Sequence, residues 1–232
     1  MIRPVPLPQL PSAPGCRSCD LGNVARSVGI GTHWIPDSRA PGPGVPAVVL
    51  LGQNPGWNED REGVPFIGKS GELVQDVYCQ GISLQRLASV YVANTARCFH
   101  REGDGPANKH YKACRPRLIP DLQAISDLHG RGTIHVLTLG APAATHLYAL
   151  FGVKRSLADA MEKQGFQAEY VEGDHTVRLV IVSTFHPAAV LRTRNLIYAV
   201  QGHMQVLLDR LTGNVPQVTK VERVPPRSPV TK

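Results

Sequence analysis

The sequence predicts an α/β protein, a three-layer α/β/α sandwich on a central parallel sheet of about four strands. Four short apolar runs recur along the chain, at residues 47–51, 89–93, 134–139 and 177–183. Runs of this length and composition suit strands buried on both faces. Segments with helical spacing of apolar residues separate them, and strands that alternate with helices assemble into a parallel sheet covered on both sides.

The chain has 232 residues, 42% of them hydrophobic, enough for a proper core in one domain. No apolar run approaches the roughly 20 residues that span a bilayer, and the N-terminus lacks the apolar stretch of a secretory signal. A cytoplasmic, monomeric protein without a membrane partner is expected. Its formal net charge of +7 favours a polyanionic partner.

Prolines at 4, 6, 8, 11 and 14 make residues 1–15 an extended or disordered leader without helix or ladder pairing. Residues 16–212 form the domain, opening with a short turn or helix over 16–28 and a breaker-rich segment over 36–46. The first strand ends at Gly52-Gln53-Asn54-Pro55-Gly56, a sharp turn at the edge where open α/β sheets place ligands. A helix follows over 71–80, and its start near Lys69, Ser70 and Gly71 offers free N–H groups suited to phosphate. The second strand ends at Asn94 and leads through a polar loop at 99–109 to a helix over 111–128. Beyond the third strand come Gly140, a helix over 142–151 and a further helical piece over 157–164. The fourth strand runs into the loop 184–192, and a last helix occupies 195–211. Residues 213–232 read as a disordered tail. In a parallel sheet the C-terminal strand ends share one edge, so Gln53, Asn54, Asn94 and His186 converge there.

Five cysteines in a chain with no sign of secretion argue for metal or catalytic use of at least some. Cys16 and Cys19 form a C-x2-C pair, Cys98 and Cys114 stand fifteen residues apart, and the lone Cys79 reads as a small buried hydrophobe.

The motifs GQNPGWNED-x2-G-x-PFIGKSG, NTARC and FHPAAVLR, taken with four of these cysteines, resemble the uracil-DNA glycosylase superfamily, and within it the iron–sulfur branch, family 4, with its phage-borne relatives. The resemblance runs from Cys16 to about Leu211. It implies a DNA repair enzyme that flips uracil out of single- or double-stranded DNA and hydrolyses its N-glycosidic bond, leaving an abasic site. Cys16, Cys19, Cys98 and Cys114 would ligate a [4Fe–4S] cluster, although the ligand set alone also suits zinc. Phe66 matches the aromatic that stacks on the flipped base, and Asn94 the amide that reads its polar edge. His186 matches the histidine that stabilises the departing uracil. Lys69 and Ser70 are phosphate candidates, Val190 and Leu191 wedge candidates, and Arg192 matches a residue reaching the DNA backbone or the opposite strand.

Several positions depart from the family-4 pattern. Asn54 occupies a position that is usually small there, and corresponds to the water-orienting Asn of other branches; Gln53 replaces a Glu. Gln53 and Asn54 are together expected to serve the water and the base edge. Gly56 stands where the best-known branch has a bulky Tyr, leaving room beside the base and suggesting tolerance of 5-substituted uracils. Ala188 replaces a Ser that contacts phosphate. Glu59 and Asp60 read equally as catalytic carboxylates or as loop structure. Two other readings remain open: a weakly or non-catalytic binder of uracil-containing or modified DNA, and a glycosylase specific for a 5-modified pyrimidine. Without a lysine placed to form a Schiff base, the enzyme is expected to be monofunctional.

Overall fold

The structure is a computed structural model that describes residues 1–11, 13–101 and 105–214, together with the backbone of 221–224. Its strands are β1 (Val5–Pro6), β2 (His33–Trp34), β3 (Ala47–Gly52), β4 (Ser89–Asn94), β5 (Ile134–Leu139), β6 (Phe166–Glu172), β7 (His175–Thr184) and β8 (Val221–Val224). The helices are α1 (Trp57–Glu62), α2 (Lys69–Leu73), α3 (Leu84–Leu87), α4 (Asn108–Cys114), α5 (Leu118–Leu128), α6 (Ala141–Tyr148), α7 (Leu157–Glu162), α8 (Pro187–Arg192) and α9 (Leu196–Thr212). All eight strands join one sheet in the order β1-β2-β4-β3-β5-β7-β6-β8.

The four central strands, β4, β3, β5 and β7, are parallel and are the four read from the sequence. Successive side chains on a strand point to opposite faces, and here both faces are covered. Val49 and Leu51 pack with Leu122, Ile125 and Leu147 of α5 and α6. Val48 and Leu50 pack with Tyr78 and with Val200, Met204 and Leu207 of α9. The sandwich therefore has its expected three layers.

The edges are antiparallel additions that the apolar runs did not reveal. β6 and β7 form a hairpin closed by Gly173-Asp174, pairing Glu172 with His175 and Phe166 with Ile181. Ladder pairing also occurs in the leader, where Val5 and Pro6 lie against Trp34 and His33. Proline is tolerated there because an edge position leaves its missing donor unneeded. Gln75 fixes the same leader by exchanging two 2.7 Å hydrogen bonds with the main chain of Ile2. Of the tail expected to be disordered, residues 215–220 and 225–232 lie outside the described residues, and β8 pairs in parallel with β6.

The helix read over 71–80 begins two residues earlier as α2 and continues as a π-helical turn over Val74–Cys79. Residues 187–192, read as loop, form α8, with Pro187 in its first turn and His186 as its N-cap. Among the described residues no helix is long and apolar enough to cross a membrane.

Candidate active site

The C-terminal ends of the parallel strands open into a cavity of about 450 Å³. Gly52 of β3 pairs in register with Asn94 of β4, so the two loops that follow start side by side. Thr95 ties them together, its hydroxyl donating to the carbonyls of Gly52 at 3.1 Å and Gln53 at 3.0 Å. Asn54, Gly56, Phe66, Lys69, Ser70, Asn94 and His186 all line the cavity. Seven of the residues singled out from sequence thus meet at one place.

Asn54 donates its amide N–H to the carbonyl of Pro55 at 2.8 Å. This assigns the amide orientation and turns Oδ1 into the pole left to accept a proton donor. His186 is partly buried, and its Nδ1 accepts the Ala188 N–H at 3.1 Å. A neutral ring that accepts at Nδ1 carries its proton on Nε2. Burial, reinforced by the nearby Arg192 guanidinium, holds the His186 pKa down at about 4, so the ring is neutral at physiological pH. The main chain of the His186 loop is steadied by Tyr78, whose hydroxyl donates to the Phe185 carbonyl at 3.2 Å.

Phe66 is 6% exposed and sits at φ +58°, a left-handed conformation unusual for a non-glycine residue. Its ring lies over Gly52, where a Cβ would come within 2.6 Å of Phe66 Cζ and 2.5 Å of Asn94 Oδ1. Only glycine lets the Phe66 ring and the Asn94 amide approach the strand end together. The strained loop is held by Glu59. Its Oε1 accepts the N–H groups of Ile67 at 3.0 Å and Gly68 at 2.8 Å, and its Oε2 accepts that of Gly56 at 3.1 Å. Asp60 similarly accepts the N–H groups of Arg26 and Ser27. Both carboxylates are buried and engaged with backbone, which favours the structural reading left open for them. A Cβ at Gly56 would lie 2.7 Å from Glu59 Oε2, so glycine is required there by the carboxylate, whatever room it leaves for a base.

Other sequence-derived positions lie elsewhere. Gln53 does not line the cavity; its amide sits against Gly105 and beside the Tyr111 hydroxyl, without reaching hydrogen-bond geometry with it. Val190 is 4% exposed and packs in the core, because α8 turns that side inward; Leu191 and Arg192 face solvent. Arg97, of the NTARC motif, is buried in a 2.5 Å ion pair with Asp121, so its charge is not offered to a phosphate. Four cavity-lining residues were not singled out from sequence: Trp57, Asn58, Gly68 and Phe99. The available signal was a tryptophan set in a polar, glycine-rich loop.

None of the five cysteines is in a disulfide. Burial pushes the Cys98 thiol up to about 11, and Cys114, Cys19 and Cys16 act electrostatically in the same direction. Donors already face the sulfurs: the Gly29 N–H lies 3.3 Å from Cys98 Sγ and the Ser18 N–H 3.5 Å from Cys16 Sγ. Burial also raises the Cys114 thiol, against a smaller pull from Arg97, whereas the Cys16 thiol, against some burial, is lowered by its bonds to Ser18 and by the Arg117 guanidinium. This donor set fits an anionic iron–sulfur cluster. Among the described residues, no three His, Cys, Asp or Glu side chains form a cage for a single ion. Cys79 is fully buried and apart from these thiols, as its reading as a small hydrophobe required.

Residues 42–211 match the family model described as the uracil DNA glycosylase superfamily. The chain is 27% identical over 161 residues to the type-4 uracil-DNA glycosylase of Sulfurisphaera tokodaii, covering 68% of each chain. It is also 27% identical over 176 residues to the type-4 enzyme of Archaeoglobus fulgidus, covering 76% of this chain and 78% of that one. The type-4 enzyme of Pyrobaculum aerophilum is 30% identical over 146 residues, 62% of this chain and 68% of its own.

Proposed function

The chain belongs to the uracil-DNA glycosylase superfamily, and from that premise we propose that it removes uracil from DNA by hydrolysis, leaving an abasic site and an intact backbone. A base inside a duplex is out of reach, so it must be rotated into the cavity at an unstacking cost of a few kcal/mol. Phe66 supplies the stacking face and Asn94 both donates to and accepts from the polar edge of the base. A water held by Asn54 Oδ1 attacks C1′ of the deoxyribose. The N-glycosidic bond breaks, its electron pair passes to the uracil ring, and the developing charge on O2 meets the Nε2–H of His186. An amide cannot take the water's proton at neutral pH, so that proton passes to the departing uracil anion or to solvent as OH stays on C1′, and rate comes mainly from positioning and leaving-group stabilisation.

The observation that carries this reading is the Ala188 N–H bond to His186 Nδ1. It fixes a neutral ring with its donor available, in the cavity that also holds Asn54, Phe66 and Asn94. Cys16, Cys19, Cys98 and Cys114 hold a [4Fe–4S] cluster that, when bound, staples the N-terminal segment to the loop after β4. Lys69, Ser70, Leu191 and Arg192 contact the DNA. That Asn54 and His186 line one cavity supports turnover over passive binding.

Incubation with uracil-containing single- and double-stranded oligonucleotides, followed by alkali, tests the proposal. Breaks at uracil are expected, and their loss on His186→Ala. Binding without breaks, or breaks only at 5-modified pyrimidines, overturns it.

A further inference from the structure

Trp57 is 62% exposed, although it lines the cavity and occupies the first position of a helix whose backbone is firmly held. Large aromatic side chains dominate buried surfaces, and one left in solvent at the mouth of a site is a surface without its partner. Its backbone cannot drift, because Glu59 and Asp60 in the same first turn are buried and bonded to three and two main-chain N–H groups. Its ring is braced by Phe99, with centroids 6.1 Å apart and planes at 72°. An edge-on brace supports one side of an aromatic ring and leaves a flat face open. Lys69, an exposed cation, lines the same cavity.

A held, exposed aromatic face beside a cation is the combination that binds a single-stranded nucleic acid, base on ring and phosphate on charge. We propose that Trp57, braced by Phe99, stacks on the unpaired base next to the flipped nucleotide, so that the site takes single-stranded or locally opened DNA in preference to closed duplex. In closed duplex both faces of that neighbour are covered by the stack, and the platform stays empty. This inference rests on the reading of the cavity as a site for a DNA base. It adds the strand state of the substrate, which Phe66, Asn94 and His186 do not specify.

The test is a binding cycle that needs no turnover. The probe is a single-stranded oligonucleotide with one 2′-fluorinated deoxyuridine, which resists hydrolysis, and with the flanking base on one side or the other removed. Stacking on an aromatic corresponds to about tenfold in affinity. Trp57→Ala should weaken binding of the intact probe about tenfold and Trp57→Phe by no more than about threefold. Removing the base on one particular side should cost the unchanged protein a similar factor and the Trp57→Ala protein nothing further. Closed duplex should bind both proteins within about threefold. Independent, additive losses overturn the proposal, as does an equal loss for duplex. Cleavage assays on the same proteins keep the two readings apart. Coupling without any uracil cleavage leaves the platform and removes the glycosylase; cleavage without coupling does the reverse.

Discussion

Replacing Glu59 by alanine is the sharpest test of how the site is held together. Its carboxylate accepts three backbone N–H groups at 2.8–3.1 Å, from Gly56, Ile67 and Gly68. Leaving a donor without its charged acceptor costs about 1–3 kcal/mol for each. These three donors sit in half-buried residues, so water recovers part of the loss, and the net effect should be about 3–5 kcal/mol. The left-handed backbone of Phe66 adds to the burden, since such strain persists only when surrounding bonds over-determine it. Glu59→Gln keeps one carbonyl acceptor but turns an NH2 group toward a donor, for a loss of about 2 kcal/mol. Urea unfolding at constant m would measure both values, and KM should rise in parallel as Phe66 loses its fixed position. Glu59→Ala within about 1 kcal/mol of the parent would refute the clamp. A fully stable Glu59→Gln protein that has lost kcat would instead make this carboxylate a proton acceptor in the reaction.

His186, held at about 4 by burial and then by Arg192, should keep kcat level from neutral pH down to about 5, with the acidic limb near 4. A limb at the ordinary histidine value near 6.5 in a kcat–pH profile would contradict this, and Arg192→Ala should move the limb upward. The same depression, shared by the buried His135, makes stability complete above about 6.5 and progressively lost as pH falls toward 4; urea midpoints at pH 7.5 and 5 check the sign. Gly52→Ala should lower kcat/KM more than tenfold while costing about 1–3 kcal/mol of stability, because its Cβ meets Phe66 and Asn94; wild-type kinetics would refute the close approach. Cys114→Ser should abolish bound iron and inorganic sulfide and lower Tm by about 10 °C, as expected for a lost structural metal group of roughly 3 kcal/mol or more. An iron-free parent of equal Tm would count against the cluster.

The parallel centre was legible because strands buried on both faces need largely apolar runs: residues 47–51 have nothing else, and residues 134–139 admit only His135 and Thr138. The β6–β7 hairpin was not, because Phe166–Glu172 is only half-buried and mixes Gln167, Glu169 and Glu172 into its alternation. Its turn, Gly173-Asp174, was the available signal. In the site, convergence followed from topology, and residues whose backbone ends a strand fell where expected. Positions on a short helix fared worse. Val190 and Leu191 are adjacent and both apolar, and only the tertiary placement of α8 decides which faces the core. Arg97 shows the same limit for charge, since its burial depends on Asp121, twenty-four positions away.

The bond from Ala188 to His186 bears on how freely this loop can drift in sequence. The group that chooses the imidazole tautomer is a main-chain amide, present whatever side chain position 188 carries. The Ser-to-Ala departure therefore leaves the proton on Nε2 undisturbed and sacrifices at most a contact made by the hydroxyl. Proline, which alone lacks that hydrogen, is the replacement that should silence the ring. The tautomer at position 186 is thus insulated from nearly every point mutation of its neighbour.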